Sequence, residues 1–181
     1  TQRAGRQRSG NECTRRSGVH RVRAARALMA IPQFHLITHW RLVAPVAAVW
    51  ELLNHPEQWP QWWRAVSAVE MLEPGDDRGI GAYRRFHWRT ALPYEIAFNV
   101  RTTQIIEPLL IEGQADGELT GIGRWQLTSS GSATEVRYDW IVDVTQPWMR
   151  VLLPIARPVF RWNHDVVMRW GEEGIRQRLV A

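Results

Sequence analysis

Residues 133–144 read ATEVRYDWIVDV, and this run decides the fold. Val136, Tyr138, Trp140 and Val142 alternate with Glu135, Arg137, Asp139 and Asp143. A period of two with one apolar and one charged parity is a strand with one face covered and the other wet. Upstream the pattern recurs, with Tyr94, Ile96, Phe98 and Val100 alternating against Glu95, Asn99 and Arg101. Two such strands in one chain predict an antiparallel sheet that something must cover.

Working outward, strands are predicted near 66–73, 80–90, 93–104, 108–116, 119–128 and 133–144. The breaks between them carry turn chemistry: Pro74-Gly75-Asp76-Asp77, the Pro93 region, Glu107-Pro108, Asp116-Gly117 and Ser129-Ser130-Gly131-Ser132. A seventh strand opens the fold, because Phe34, Leu36, Trp40 and Leu42 alternate with His35, His39 and Arg41. Pro45 suits the first turn of a helix whose apolar face is Val46, Val49, Trp50 and Leu53, ended by Asn54 and Pro56. A second short turn over Pro56 to Trp59, stopped by Pro60, leads into Trp62-Trp63.

The cover comes from the C-terminal segment. From Pro147 onward Trp148, Leu152, Ile155, Val159, Val166 and Trp170 recur at helical steps. Pro154 and Pro158 predict a kinked or two-piece lead-in, then a continuous helix from about Pro158 to Leu179. Gly171 and Gly174 would each cost about 1 kcal/mol relative to Ala inside it. Close approach of that helix to the sheet is the expected compensation.

The 181 residues suit one domain, and no run approaches the roughly 18 consecutive apolar residues of a membrane span. The single Cys13 rules out a disulfide framework within the chain and a Cys-rich zinc site, and fits a cytoplasmic setting. The formal charge of +5 divides unevenly: residues 1 to 28 hold eight arginines against Glu12, whereas residues 29 to 181 are slightly acidic. The segment 1–28 therefore reads as a disordered Arg-rich tail, and 29–181 as a single domain for which no nucleic-acid partner is expected. Three readings of the tail stand: a nucleic-acid or anionic-membrane arm, a targeting peptide, or translated leader ahead of Met29.

Three stretches in matching order carry a resemblance: Trp50 to Trp63 (WELLNHPEQWPQWW), Asp116 to Trp125 (DGELTGIGRW) and Arg161 to Gly174 (RWNHDVVMRWGEEG). Over about residues 33 to 180 the chain resembles the polyketide cyclase/dehydrase branch of the SRPBCC superfamily, related to START lipid-transfer domains and the birch-pollen-allergen fold. The resemblance implies an α+β helix-grip fold: a curved seven-stranded antiparallel sheet around a long C-terminal helix, with two short helices after the first strand. It also implies an apolar cavity between that sheet and the C-terminal helix, binding a hydrophobic ligand such as a lipid, quinone or polyketide-like ring.

Strand parity and helical spacing then name the side chains expected to line such a cavity. From the sheet these are Trp88, Tyr94, Phe98, Trp125, Tyr138 and Trp140; from the helix, Val159, Val166 and Trp170. They either line a void or pack on one another, and a sheet curved around one helix favours the void. Of the eleven tryptophans, those from Trp50 to Trp63 are expected to lock the short helices, and those from Trp88 to Trp170 to reach the interior. Asn163 falls on or beside the sheet-facing stripe and either bonds strand backbone or meets a ligand. Arg84 shares parity with Phe86 and Trp88, so it snorkels to the cavity mouth, meets an anionic ligand, or lies on the surface.

Catalytic constellations are sparse. There is no G-x-S-x-G elbow, and His35 and His39 share the outward parity of a strand without a third convergent ligand, so neither metal nor cofactor is expected. Gly79-Ile80-Gly81 and Gly121-Ile122-Gly123 open no helix and read as bulges or close packing rather than nucleotide loops. For a cyclase or dehydratase the only plausible groups are Tyr94, Tyr138, His164 and Arg84, of which Tyr94, Tyr138 or His164 would serve as acid or base. A protein-interaction module using the sheet exterior or the tail is the remaining alternative.

Overall fold

Seven alternating segments pair into one antiparallel sheet. They are β1 (Gln33–Leu42), β2 (Val66–Glu73), β3 (Tyr83–Arg89), β4 (Glu95–Ile106), β5 (Leu110–Gly117), β6 (Leu119–Ser130) and β7 (Ala133–Val144), in spatial order β1-β7-β6-β5-β4-β3-β2. The structure, a computed structural model, describes residues 33–144 and 147–180. The tail over 1–28 lies outside the described residues. Strands β2 to β7 form a meander, while β1 closes against β7 with Leu36 opposite Trp140 and Trp40 opposite Val136. Because β1 and β2 occupy opposite edges, the chain between them must cross the sheet.

That crossing is made by α1 (Val46–Asn54) and a 3₁₀ helix (Pro56–Gln61). Val49, Trp50 and Leu53 are buried on one face of α1, the stripe read from their spacing. Pro45 sits just before the helix rather than inside its first turn, with extended backbone. The 3₁₀ helix runs through Pro60 to Gln61 instead of stopping there. The carbonyl of Trp59 accepts from the Trp62 and Trp63 amides at 3.1 and 2.7 Å, so the missing Pro60 N–H does not break the turn. Strand β3 begins at Tyr83, later than expected, because Asp76 Oδ1 accepts from the Arg78 and Ile80 amides and holds a turn with Gly79 and Gly81 at positive φ.

The C-terminal helix α2 (Pro147–Val180) is a single element of 34 residues running through both Pro154 and Pro158, so the expected two-piece lead-in is not found. These prolines are four residues apart, so the two missing backbone N–H groups fall on one side of the helix. Together the sheet and α2 make the helix-grip fold. Which face of α2 turns inward differs from the expectation: Val159 and Trp162 are 43% and 51% exposed, whereas Asn163, Val167, Met168 and Ile175 are buried. The stripe is displaced by one residue.

Glycine explains the displacement. A Cβ at Gly171 would stand 2.4 Å from the Trp63 ring, and one at Gly174 would stand 1.8 Å from the Trp62 carbonyl oxygen. The helix therefore turns its glycines toward Trp62-Trp63, and the close approach is to this segment before β2 rather than to the strands themselves. Trp63, fully buried, donates from Nε1 to the Val167 carbonyl at 2.9 Å, which fixes the contact in register. Trp170 is left on the flank, its ring covered by the Arg64 guanidinium at 3.9 Å.

Candidate functional site

The concave face of the sheet has a floor of small residues. Gly113 of β5 pairs with Gly123 of β6, and Ala115 pairs with Gly121, so four adjacent inward positions carry a methyl or nothing. A Cβ at Gly123 would stand 2.9 Å from the Tyr138 hydroxyl and 3.0 Å from the Trp140 ring; one at Gly113 would stand 2.5 Å from Val100 Cγ1. The rings of neighbouring strands lean into this gap. Phe98 of β4 and Trp140 of β7 are separated by two strands, roughly 14 Å of backbone at the usual strand spacing, yet their ring centroids approach to 5.5 Å. Close packing, one of the two readings of Gly121-Ile122-Gly123, is what the structure shows at Gly123.

Leaning rings divide the space above the floor into two voids. The larger, about 430 Å³, lies between the 3₁₀ helix, the β2–β3 turn and strands β3 to β7. The smaller, about 140 Å³, lies beneath α2 against β1, β4, β6 and β7. Trp88, Phe98, Tyr138 and Trp140 border both. They form a chain: Trp88 stacks on Phe98 with centroids 6.3 Å apart and planes 5° from parallel, Phe98 meets Trp140, and Trp140 meets Tyr138 at 6.0 Å. Tyr138 in turn stacks on Trp125 at 4.0 Å.

Most of the residues singled out from the sequence meet at these voids. Arg84 and Trp125 border the larger; Tyr94, Asn163 and His164 border the smaller. Val159, Val166 and Trp170 border neither, because the helix is turned by one residue; Phe160 and Val167 replace the first two, and Met168 joins them at the smaller void. The division of the tryptophans also changes. Trp59 borders the larger void and its ring meets Trp88 and Trp125 at 6.4 and 6.2 Å, so the short-helix cluster is continuous with the cavity wall. No periodicity marked Trp59, since a proline-bounded 3₁₀ turn has none to offer; Glu57, Ile105 and Ile111 were missed for the related reason that chain reversals set which of them face inward.

The larger void is bordered by charged side chains as well as rings, among them Glu57, Asp76, Asp77, Arg78, Arg84 and Glu112. Arg84, only 14% exposed, donates from Nε to Glu57 Oε1 at 2.6 Å and from a terminal nitrogen to Thr102 Oγ1 at 3.4 Å, so its cation sits in the wall of the larger void. Asn163 Oδ1 accepts the Ala91 amide at 2.8 Å, tying α2 to the β3–β4 connection. Burial pushes the Tyr138 phenol well above its usual range, and raises Tyr94 with help from Glu118. Burial lowers the His164 imidazole against the opposing pull of Asp165. Its Nε2 is buried without a hydrogen-bond partner, as is Nε1 of Trp88. His35, by contrast, pairs on the outer face with Asp139 at 3.0 Å.

Solved structures with this architecture are numerous. The protein TTHA0849 of Thermus thermophilus superposes with a TM-score of 0.65 at 16% identity, covering 78% of this chain and 97% of its own. The Zhui aromatase/cyclase from Streptomyces sp. R1128 gives 0.64 at 15%, covering 82% and 94%. A START superfamily protein from Mycobacterium smegmatis gives 0.66 at 13%, covering 80% and 96%. At such identities the likeness speaks for the fold. No curated protein matches. The sequence pattern of one family, described as polyketide cyclase / dehydrase and lipid transport, spans residues 42–168, which include the glycine floor, the aromatic partition and α2 as far as Met168. The chain belongs to this family, within the SRPBCC superfamily.

Proposed function

We propose that this chain binds a small, largely apolar molecule in the larger void, a lipid, quinone or polyketide-like ring whose polar end meets Arg84. The observation that carries this reading is an aromatic-walled space of about 430 Å³ with one nearly buried guanidinium in its wall. That volume is in the ordinary range for small-molecule sites, which pair apolar walls with a few placed polar groups. Glu57 neutralises Arg84 through one nitrogen only, so a ligand carboxylate, phenolate or carbonyl has the rest of the fork to bond. A cytoplasmic setting belongs to the same proposal and rests on the lone Cys13.

Titration of tryptophan emission with fatty acids, naphthoquinones and aromatic polyketides tests it. Saturable quenching or a blue shift is expected with at least one class, and Arg84→Met should weaken an anionic ligand about ten-fold while leaving its uncharged analogue nearly unaffected. A flat response to all three classes overturns the reading.

A second reading is supported by the convergence of Tyr94, Tyr138 and His164 on the smaller void. A phenol raised by burial and an imidazole lowered by it are a donor and an acceptor suited to enolising a bound ketone, or to removing the α-proton of a β-hydroxy ketone and protonating its leaving hydroxyl as water. Here Tyr138→Phe should lower turnover of a poly-keto substrate by about a hundred-fold with affinity kept. Unchanged turnover in Tyr138→Phe, Tyr94→Phe and His164→Ala removes these roles.

A further inference from the structure

The smaller void differs from the larger in chemistry as well as size. Beyond the partition rings its wall is mostly apolar, with Leu36, Leu119, Val142, Val167 and the Met168 thioether beside the Phe34 and Phe160 rings, and Tyr94 and His164 at its border. Of the polar side chains at its border, Thr90 and Asn163 are engaged, whereas His164 Nε2 and Trp88 Nε1 are buried without a partner. Thr90 Oγ1 has the Leu92 and Tyr94 carbonyls as alternative acceptors, each at 3.0 Å, and accepts the Leu92 amide, and Asn163 Oδ1 accepts the Ala91 amide. An apolar space of roughly 150 Å³ admits a benzene-sized guest. At about 140 Å³ this void is of that size.

Phe98 is the middle of the partition. Its ring meets Phe86 at 6.2 Å, Trp88 at 6.3 Å and Trp140 at 5.5 Å, so it bridges the rings of β3 to the ring of β7 over the glycine floor. Nothing in the backbone separates the two spaces at this point, since the strands beneath carry Gly113, Ala115, Gly121 and Gly123. The boundary is made of side chains alone.

We infer that the smaller void is a second binding compartment that takes one ring-sized apolar group, and that Phe98 is the specificity residue deciding whether a ligand in the larger void can extend into it. The second half of this statement rests on the ligand-binding reading of the larger void; the first does not. A compact ligand is confined to the larger space, and one with a terminal phenyl or branched alkyl group reaches the second only by displacing the Phe98 ring.

Methyl NMR of the full chain separates the two compartments, because the Met168, Leu119 and Val142 methyls border only the smaller void and those of Ile105 and Ile111 only the larger. Benzene should produce saturable shifts at Met168 and Val142. In Leu119→Trp, which fills the smaller void, that response should weaken at least ten-fold, with retained methyl dispersion showing that the chain is folded. Absence of a saturable benzene shift at Met168, Leu119 and Val142, or a response that survives Leu119→Trp, overturns the second compartment.

Dodecanoate tests the partition. It should shift only Ile105 and Ile111 in the natural chain, and both methyl sets with one common midpoint in Phe98→Ala, or in the milder Phe98→Leu if the first is unfolded. Simultaneous shifts of both sets in the natural chain, or no change in either variant, overturns the role of Phe98. If dodecanoate and the aromatic ligands leave Ile105 and Ile111 unmoved while benzene still shifts Met168, the larger void's proposed function fails and the second compartment stands.

Discussion

Asp139 illustrates how far a single side chain on the wet face can be shifted by its neighbours. Arg137 donates to both of its oxygens, at 2.7 and 2.9 Å, and His35 lies 3.0 Å from Oδ1. The Arg137 hydrogen bonds, then partial desolvation opposing them, then the His35 contact set the balance, and the carboxyl is lowered to about 2. Because the folded value lies below the unfolded one, the stabilisation is complete above about pH 4 and is lost as pH falls through about 2. Exchange with solvent limits such a cluster to about 1 kcal/mol. Asp139→Asn should therefore lower the thermal midpoint by a few degrees at pH 7, with the gap to the natural chain closing toward pH 2. Melting curves across that range check it, and a constant gap would assign the effect to packing instead of charge. Trp63 acts at the same scale with larger stakes. Trp63→Phe leaves the Val167 carbonyl without its 2.9 Å partner and opens a small cavity, at a cost of about 3 kcal/mol in urea unfolding.

The helix α2 shows why periodicity alone does not orient an element. Val159, Val166 and Trp170 recur at steps of seven and four, and so do Phe160, Val167 and Gly171; the two stripes lie one residue, about 100°, apart on the same helix. Apolar content favours the first. Steric fit selects the second, because only the glycine-bearing side can reach the Trp62 backbone, and the indole of Trp63 then finds its acceptor on α2. Gly174→Ala separates the two arguments by sign. Helix propensity predicts a gain of about 1 kcal/mol, whereas a Cβ 1.8 Å from the Trp62 carbonyl oxygen must push the helix off its seat. A net loss of about 2 kcal/mol or more is expected from denaturant midpoints, and a stabilised variant would contradict the packing described here. The strands were legible because a period of two leaves only one choice of face; a helix with two adjacent apolar stripes leaves two.

At the scale of the whole molecule, a void held open by rings should be a reserve of stability for whatever fills it. A ligand present at a hundred times its dissociation constant adds about 2.7 kcal/mol if it binds the folded chain alone. For a domain of this size that corresponds to a rise of roughly 5–10 °C in the thermal midpoint. A differential-scanning series against the ligand classes named above should show this rise for a binder of the larger void, and the rise should shrink in Arg84→Met for anionic ligands. The sequence by itself determined the seven strands, their turns, the long covering helix and the inward parity of Arg84, Trp88, Phe98, Trp125, Tyr138 and Trp140, because alternation and turn chemistry are local properties of a chain. Tertiary structure alone decided the phase of α2, the entry of Trp59 into the wall and the division of the interior into two compartments. Those outcomes depend on which small residues of distant strands fall in register, Gly113 against Gly123 and Ala115 against Gly121, and on how far rings from β4 and β7 can lean across the gap they leave.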